Sequence, residues 1–407
     1  MVLLGLGAVW PLTSLCAPAP AAAGATQVTE RAAAAAGVGT PLAGSKLSML
    51  AGVSPGTWFE IPNSRLLDVL PPESSRPPVR YIVGPKAIVS AWNGAVFNTR
   101  LQRLDIFASG GHGDYCGNEY LSFDMQKLRW ELMQGPSRLD GFDLRTGIVD
   151  ESIDLHGVPV EARKRNRMGF APDGRPISRH TYGGQVYHPE LGVSFMFGGS
   201  LCSGAGTADD RWWSVTPDGK YKYLGGDGGW TGLGLFATYD PASSHIFLTL
   251  AGNVTEFDPV RNLKTVRTKR GTNGTWGQVA AIDSKRHRLL VLGHLNPRSI
   301  ESRPFVFDLK SGRIDFVDLD HAPFASVVGL GLSYVPRLDC FVVWMGGSTL
   351  YYIDPETFSV SERRTSAPAP PFTANGMYGR FAYSAVYDGF VVVSAADQNV
   401  HFLKLPQ

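Results

Sequence analysis

Cysteine is scarce in this sequence, with 4 in 407 residues, too few for a small disulfide-dense scaffold. Charge is scarce as well: at 18% charged residues the chain is not a disordered polyelectrolyte. Neither sign prevails, because 38 Lys+Arg face 36 Asp+Glu for a net charge of +2, so nothing global drives the chain toward nucleic acid. Long apolar runs are missing; the stretch from Val2 to Leu15 is short for a bilayer span and is broken by Pro11. Amphipathic helical segments of useful length are missing too. What remains plentiful is 47 glycines, 28 prolines and 11% aromatic residues within a 43% hydrophobic chain. No G-X-Y period accompanies them, which excludes collagen, and the balance of turn formers and aromatics points to an all-β fold.

The first residues read as processing signals. Residues 1–25 combine the apolar stretch with small-residue cleavage options near Ala23 and Ala25, as in a secretory signal peptide, although no Lys or Arg precedes the apolar run. Leu15 is bulky where a lipid-anchoring site at Cys16 would want a small residue. Residues 26–55 are rich in Ala, Gly and Ser and read as a flexible leader, leaving 56–407 as the folded domain. The expected location is periplasmic or secreted, without membrane insertion.

From Trp58 onward one pattern recurs: a small-residue strand after a Gly-rich start, a strongly apolar strand, a strand ending in aromatic-Asp, and a charged or aromatic alternating strand. The apolar strands are RLDIFASGG, GVSFMFGGS, HIFLTLAG, RLLVLGH, CFVVWMGG and FVVVSAAD. Repeats of this length with four short strands each are the signature of a kelch-like β-propeller, here with six four-stranded blades. A seventh blade would have to lie in residues 63–90 or 134–178, which otherwise read as loops. The last repeat lacks its outer strand, and GTWFEIP at residues 56–62 has the alternation to supply it and close the ring. A closed ring exposes no edge, so a monomer is expected.

With strands lettered a to d from the channel outward, the d–a and b–c connections share one face. The unusual residues all fall there, as expected for sites held on a rigid scaffold, whereas the a–b turns are short and bland. Five d–a loops place an aromatic beside glycine, at Trp92, Tyr182, Trp230, Trp276 and Tyr378. They serve either as packing at the channel mouth or as a platform for sugar rings.

The most distinctive loop is SGGHGDYCGNEY, residues 109–120, which crowds His112, Asp114, Tyr115, Asn118 and Glu119 together. SRHTYGG, residues 178–184, adds Arg179, His180 and Tyr182. The long 134–178 segment before it carries the basic run Arg163, Lys164, Arg165 and Arg167. Glycoside hydrolysis wants opposed carboxyl groups, and Asp114 and Glu119 share one loop. β-Elimination of a uronate glycan asks instead for a base, an acid and a group that neutralises the carboxylate, which suits His, Tyr and Arg.

The propeller repeat together with GGHGDYxGNE and SRHTYGG resembles bacterial secreted kelch-type propeller proteins and is similar to the propeller-fold ulvan lyases. The likeness covers the architecture of 56–407 and, at motif level, the first two blades. It implies that His112 matches the histidine after the first b strand and Tyr182 the tyrosine of the next d–a loop. Where it implies a second histidine and an arginine, this chain has Trp92-Asn93 and Gly199-Ser200; Arg179, Arg298 or Arg380 would then supply the cation. Those lyases have seven blades, against the six counted here.

The expected catalytic set is His112, Tyr182, His180 and Arg179. Asn93, Tyr115, Asn118, Trp230, Trp276, His294, Arg298, Tyr378 and Arg380 are expected to contact the sugar. The expected partner is an acidic polysaccharide or oligosaccharide, with no cofactor and no nucleic acid. A non-catalytic glycan- or protein-binding propeller and a sugar mutarotase or epimerase are the competing readings. His180, as the first residue of a strand, also reads as a buried hydrogen-bonding histidine. Cys116 and Cys202 fall in adjacent b–c loops, where an oxidising compartment allows a disulfide and a zinc site with His112 or His180 is the alternative. Cys340 reads as a core residue.

Overall fold

The computed structural model describes residues 47–77, 83–112, 114–139, 169–202, 208–226, 232–268, 277–292, 303–366 and 368–406. Its strands form six antiparallel sheets arranged as a β-propeller. β1 (Trp58–Glu60) comes first in the chain and belongs to the last blade. Blade 1 is β2 (Val96–Asn98), β3 (Arg103–Phe107), β4 (Tyr120–Asp124) and β5 (Arg129–Gln134). Blade 2 has a divided inner strand, β6 (Arg179–His180) and β7 (Gln185–His188), followed by β8 (Val193–Leu201), β9 (Ala208–Val215) and β10 (Tyr221–Gly226). Blade 3 is β11 (Phe236–Asp240), β12 (His245–Leu250), β13 (Asn253–Asp258) and β14 (Leu263–Thr268). Blade 4 is β15 (Val279–Asp283), β16 (Arg288–Leu292), β17 (Phe305–Asp308) and β18 (Ile314–Phe316). Blade 5 is β19 (Gly331–Val335), β20 (Cys340–Trp344), β21 (Thr349–Ile353) and β22 (Val360–Arg364). Blade 6 is β23 (Phe381–Ser384), β24 (Gly389–Val392) and β25 (His401–Lys404), with β1 outermost.

The recurring aspartate explains why these short strands turn where they do. At the end of the c strands, Asp124, Asp258, Asp308 and Asp354 each accept two backbone N–H groups of the following turn. Asp240 and Asp283 do the same after strand a. A carboxylate that satisfies two turn amides replaces ladder bonds the chain gives up on reversing, so the turn is encoded locally. The backbone N–H bonds hold the carboxyls of Asp258 and Asp308 below the usual carboxylate range.

The apolar strands pack between blades rather than within them. Phe107, Tyr120, Met196 and Trp213 join blades 1 and 2, and Phe197, Trp212, Leu248 and Phe257 join blades 2 and 3. Trp344, Phe381 and Phe390 join blades 5 and 6, with Trp58 packed on them. Inner strands lie side by side around the channel, β2 with β7, β7 with β11, and so on to β23. The amide of Ala95 donates to the carbonyl of Tyr378, linking blade 6 to blade 1.

Ring closure follows the sequence reading. β1 pairs antiparallel with β25, Trp58 opposite Leu403 and Glu60 opposite His401, and the Trp58 indole donates to Thr365 Oγ1 at 2.9 Å. Two details differ from it. Residues 87–90, at the end of the 63–90 stretch read as a loop, form a helical turn, α2 (Ala87–Ser90), with Ala87, Ile88 and Val89 buried. Packing also begins ahead of residue 56: Leu50, in α1 (Leu47–Ala51), is fully buried against blades 6 and 1. No sheet forms in the described parts of 63–90 or 134–178 beyond the six blades, and the basic run at 163–167 lies outside the described residues. Among the described residues no helix is long and apolar enough to cross a membrane.

Candidate functional site

The d–a loops of blades 6, 1 and 2 meet at one mouth of the channel through their backbones. Tyr182 N–H donates to Trp92 O at 2.8 Å and Ala95 N–H to Tyr378 O at 3.0 Å. Trp92, Tyr182 and Tyr378 all adopt left-handed backbone conformations, with φ of 41°, 46° and 37°. Such a conformation costs an aromatic residue about 1–2 kcal/mol. Its recurrence in three blades assigns the aromatic–glycine motif first to architecture. The glycine follows from the same packing: a Cβ on Gly94 would run into the carbonyls of both Tyr182 and Tyr378.

The b–c loop of blade 1 then folds over the inner strand of blade 2. Gly110 N–H donates to Arg179 O at 3.1 Å, Gly111 N–H to Ser178 Oγ at 3.1 Å and His112 N–H to Leu201 O at 3.1 Å. Gly111, at φ 65°, lies so close to the backbone of His180 that no Cβ fits. Cys116 and Cys202 form a disulfide between the b–c loops of blades 1 and 2, with Cα atoms 5.4 Å apart. Those sulfurs are therefore not zinc ligands, and among the described residues no three His, Cys, Asp or Glu side chains converge on a metal position. Cys340 is a buried core residue outside the disulfide.

This scaffolding produces a continuous aromatic cluster. The His112 and His180 rings stack, 5.6 Å apart and 16° from parallel. Trp92 lies 5.3 Å from His180, Tyr182 meets His180 edge-on at 6.2 Å, and Tyr378 meets Tyr182 edge-on at 6.0 Å. His180 Nε2 is 2.9 Å from Asp114 Oδ2. Burial pushes His180 down to about 4, outweighing the hydrogen bond and charge of Asp114, which favour the protonated form. His180 is therefore neutral at neutral pH. Burial pushes the Tyr182 phenol up, so it stays protonated.

Exposure sorts the cluster. His112 is exposed, Trp92 half-buried and Asp114 partly exposed, whereas His180, Tyr182 and Tyr378 are at most 2% exposed. Solvent at this mouth meets His112, Trp92 and Asp114, with the other three rings behind them.

Arg179, from the expected catalytic set, and Asn93, Tyr115, Asn118 and Arg380, from the expected sugar contacts, brace neighbouring loops. Asn93 is fully buried: its amide donates to Ala87 O at 2.7 Å, its Oδ1 accepts from Thr181 N–H at 3.0 Å, and its carbonyl accepts from Arg380 Nε at 3.0 Å. Asn118 bonds Ser137 through both its amide nitrogen and its oxygen, and donates to Pro176 O. Tyr115 is fully buried and donates to Glu119. Arg179 is fully buried, ion-paired with Asp209 and bonded to the carbonyls of Ile177 and Gly198. Arg380 is also fully buried, and donates to Asn93 O, Val393 O, Gly376 O and Thr373 Oγ1. These polar groups are inside because every such group taken from water needs a partner, and they hold neighbouring loops together by finding one. Trp230, Trp276, His294 and Arg298 lie outside the described residues.

Arg179 and Arg380 differ in one respect. Arg179 has a carboxylate partner, while the four acceptors of Arg380 are all neutral, and burial draws its guanidinium down to about 9. Where it is protonated, Arg380, with no carboxylate partner among the described residues, puts a positive charge behind Asn93 and Tyr378, on the blade 6 side of the mouth.

The partners that sequence reasoning left out of the site are Asp114, which pairs with His180, and Trp92, which flanks it. Their signals were present, the aspartate two residues after His112 and the aromatic–glycine repeat. No protein-family model matches the chain, and no curated protein matches it either, so the fold is what identifies it: a six-bladed β-propeller.

Proposed function

We propose that the mouth formed by the d–a and b–c loops of blades 6, 1 and 2 binds an acidic glycan and that His112 carries out its β-elimination. The carrying observation is the stack of exposed His112 on buried, neutral His180, itself held by Asp114. His112 is an accessible proton-transfer group fixed in orientation from behind. Trp92, half-buried, flanks His180 at the same mouth.

In the reaction, the His112 imidazole takes the proton next to the uronate carboxylate. The electron pair forms the new C=C bond and the glycosidic oxygen departs. With Tyr182 shut off behind His180, His112 also returns the proton to the leaving oxygen. The positive charge of Arg380 favours the anionic ligand and the charge that develops on it, acting through the protein rather than by contact. An N-terminal apolar stretch and the Cys116–Cys202 disulfide support a secreted or periplasmic protein.

The burial of Tyr182, Arg179 and Arg380 favours a second reading, a propeller that binds acidic glycan at this mouth without cleaving it. The ultraviolet absorbance of an unsaturated uronate separates the two. Incubation with uronate-containing polysaccharides is expected to raise it with the wild-type protein and not with His112→Ala. Binding without any rise moves the protein to the second reading.

A further inference from the structure

At the opposite end of the channel, on the a–b face, the inner strands line an open cavity of about 430 Å³. That volume lies within the roughly 300–1,000 Å³ of small-molecule sites. Each inner strand contributes the residue two positions before its a–b turn: Phe97, Tyr187, Tyr239, Ile282, Tyr334 and Tyr383. Five of these six ring positions are aromatic. Small residues, among them Ala95, Ala237, Ala280 and Gly379, line the cavity as well and leave it room.

Three of the four phenols are held in place by carboxylates of the turns. Tyr239 donates to Glu190 at 2.5 Å, Tyr334 to Asp339 at 2.7 Å and Tyr383 to Asp388 at 3.1 Å. Two of those carboxylates are balanced by cations, Asp339 by Arg286 and Lys285 and Asp388 by Arg337. Ion pairing at the rim thus opposes capture of a strongly ionic ligand. A second observation comes from Gln185, which lines the cavity at 6% exposure. Its amide nitrogen donates to Phe107 O at 2.9 Å, while its Oε1 has no hydrogen-bond partner among the described residues. A buried acceptor left open is costly unless a donor fills it.

We infer that this cavity is a second ligand site, for an uncharged hydroxylated ring of the size of a mono- or disaccharide. The ring's C–H faces would pack on the aromatic side chains, one hydroxyl would donate to Gln185 Oε1, and others would reach the turn carboxylates. A purely apolar ligand would leave Gln185 unpaired. The site stands independently of the chemistry at His112.

The test is calorimetry and saturation-transfer NMR on the full chain with cellobiose, lactose and mannobiose, and with glucuronate and choline as charged controls. At least one neutral disaccharide is expected to bind. Tyr239→Ala and Tyr334→Ala should each weaken it by about tenfold, the equivalent of one lost contact of about 1.4 kcal/mol. Gln185→Leu should weaken it without lowering the melting temperature, which separates loss of the acceptor from misfolding. His112→Ala should leave it unchanged. The inference is overturned if no neutral disaccharide binds, if binding survives Tyr239→Ala and Gln185→Leu, if His112→Ala abolishes it, or if choline or glucuronate binds in preference.

Discussion

At the d–a and b–c mouth, polar side chains from loops of different blades surround an exposed histidine, and the nearby backbone is strained at Trp92, His112, Tyr182 and Tyr378. At the a–b mouth, the same inner strands end in a ring of aromatic residues, three of whose hydroxyls are tied to carboxylates in short turns. One end has an exposed imidazole able to move a proton. The other has aromatic rings and carboxylates already engaged by phenols and cations. Left-handed residues do not separate the two, since the a–b turns place Gln102, Ser244, His287, Asp339 and Asp388 in that region as well. The accessible titratable group is the basis for proposing chemistry at the first mouth and plain binding at the second.

The largest effect that tests this division is on turnover. His112→Ala should lower elimination by about 10²–10⁴-fold, the range of a general acid–base group, while its exposure keeps the melting temperature close to wild type. Tyr239→Ala at the other mouth should leave turnover unchanged, as initial-rate measurements on one acidic glycan would show. Equal losses from both substitutions would break the division.

Next in size is the Arg179–Asp209 brace. Asp209→Asn strands a buried guanidinium and should cost about 3–5 kcal/mol in denaturant unfolding. A cost below about 1 kcal/mol, the range of exposed pairs, would show that Arg179 is not locked in place and is available to a ligand after all.

Removing the disulfide with Cys116→Ser and Cys202→Ser should cost about 2–4 kcal/mol. Because the bond joins the two loops that carry His112 and flank His180, turnover should fall more than disaccharide binding at the a–b mouth. Parallel losses would show a global rather than a local role.

The last effect is a pH dependence confined to one mouth. Folding lowers His180 to about 4 from an unfolded value of 6.5. As pH falls from 6.5, the unfolded chain takes up a proton that the folded chain refuses until about pH 4. The contribution of His180 to stability is therefore full above pH 6.5 and is lost on acidification toward pH 4. His180→Gln should flatten that part of the stability–pH curve, and imidazole NMR should place the His180 midpoint near 4. A midpoint near 6.5 would mean that the ring is solvated and that His112 has no fixed backing.

The fold was legible in the sequence because its determinants are local and repeated: aspartates that cap turns, apolar strands, and the alternation of residues 56–62 that supplies β1. The site was legible only in outline. SGGHGDY and SRHTYGG marked the loops that meet, and their glycines are what allow the meeting. Residue type alone did not say which way a side chain faces. Asn93, Asn118, Arg179 and Arg380 sit in the expected loops but spend their hydrogen bonds on the carbonyls and side chains of neighbouring segments. The a–b mouth went unread for the opposite reason. Its turns are short and bland, and its aromatic ring appears only when VFN, VYH, TYD, AID, SYV and AYS are aligned on the turns that follow them.

The central claim, that the mouth around His112 receives the acidic ligand, is tested most directly by calorimetry with one uronate-containing oligosaccharide. Wild type, Trp92→Ala and Tyr239→Ala would be titrated in parallel. The account predicts binding to wild type and Tyr239→Ala and its loss in Trp92→Ala with folding intact. Binding that survives Trp92→Ala and disappears in Tyr239→Ala would place the acidic ligand at the other mouth and contradict the account.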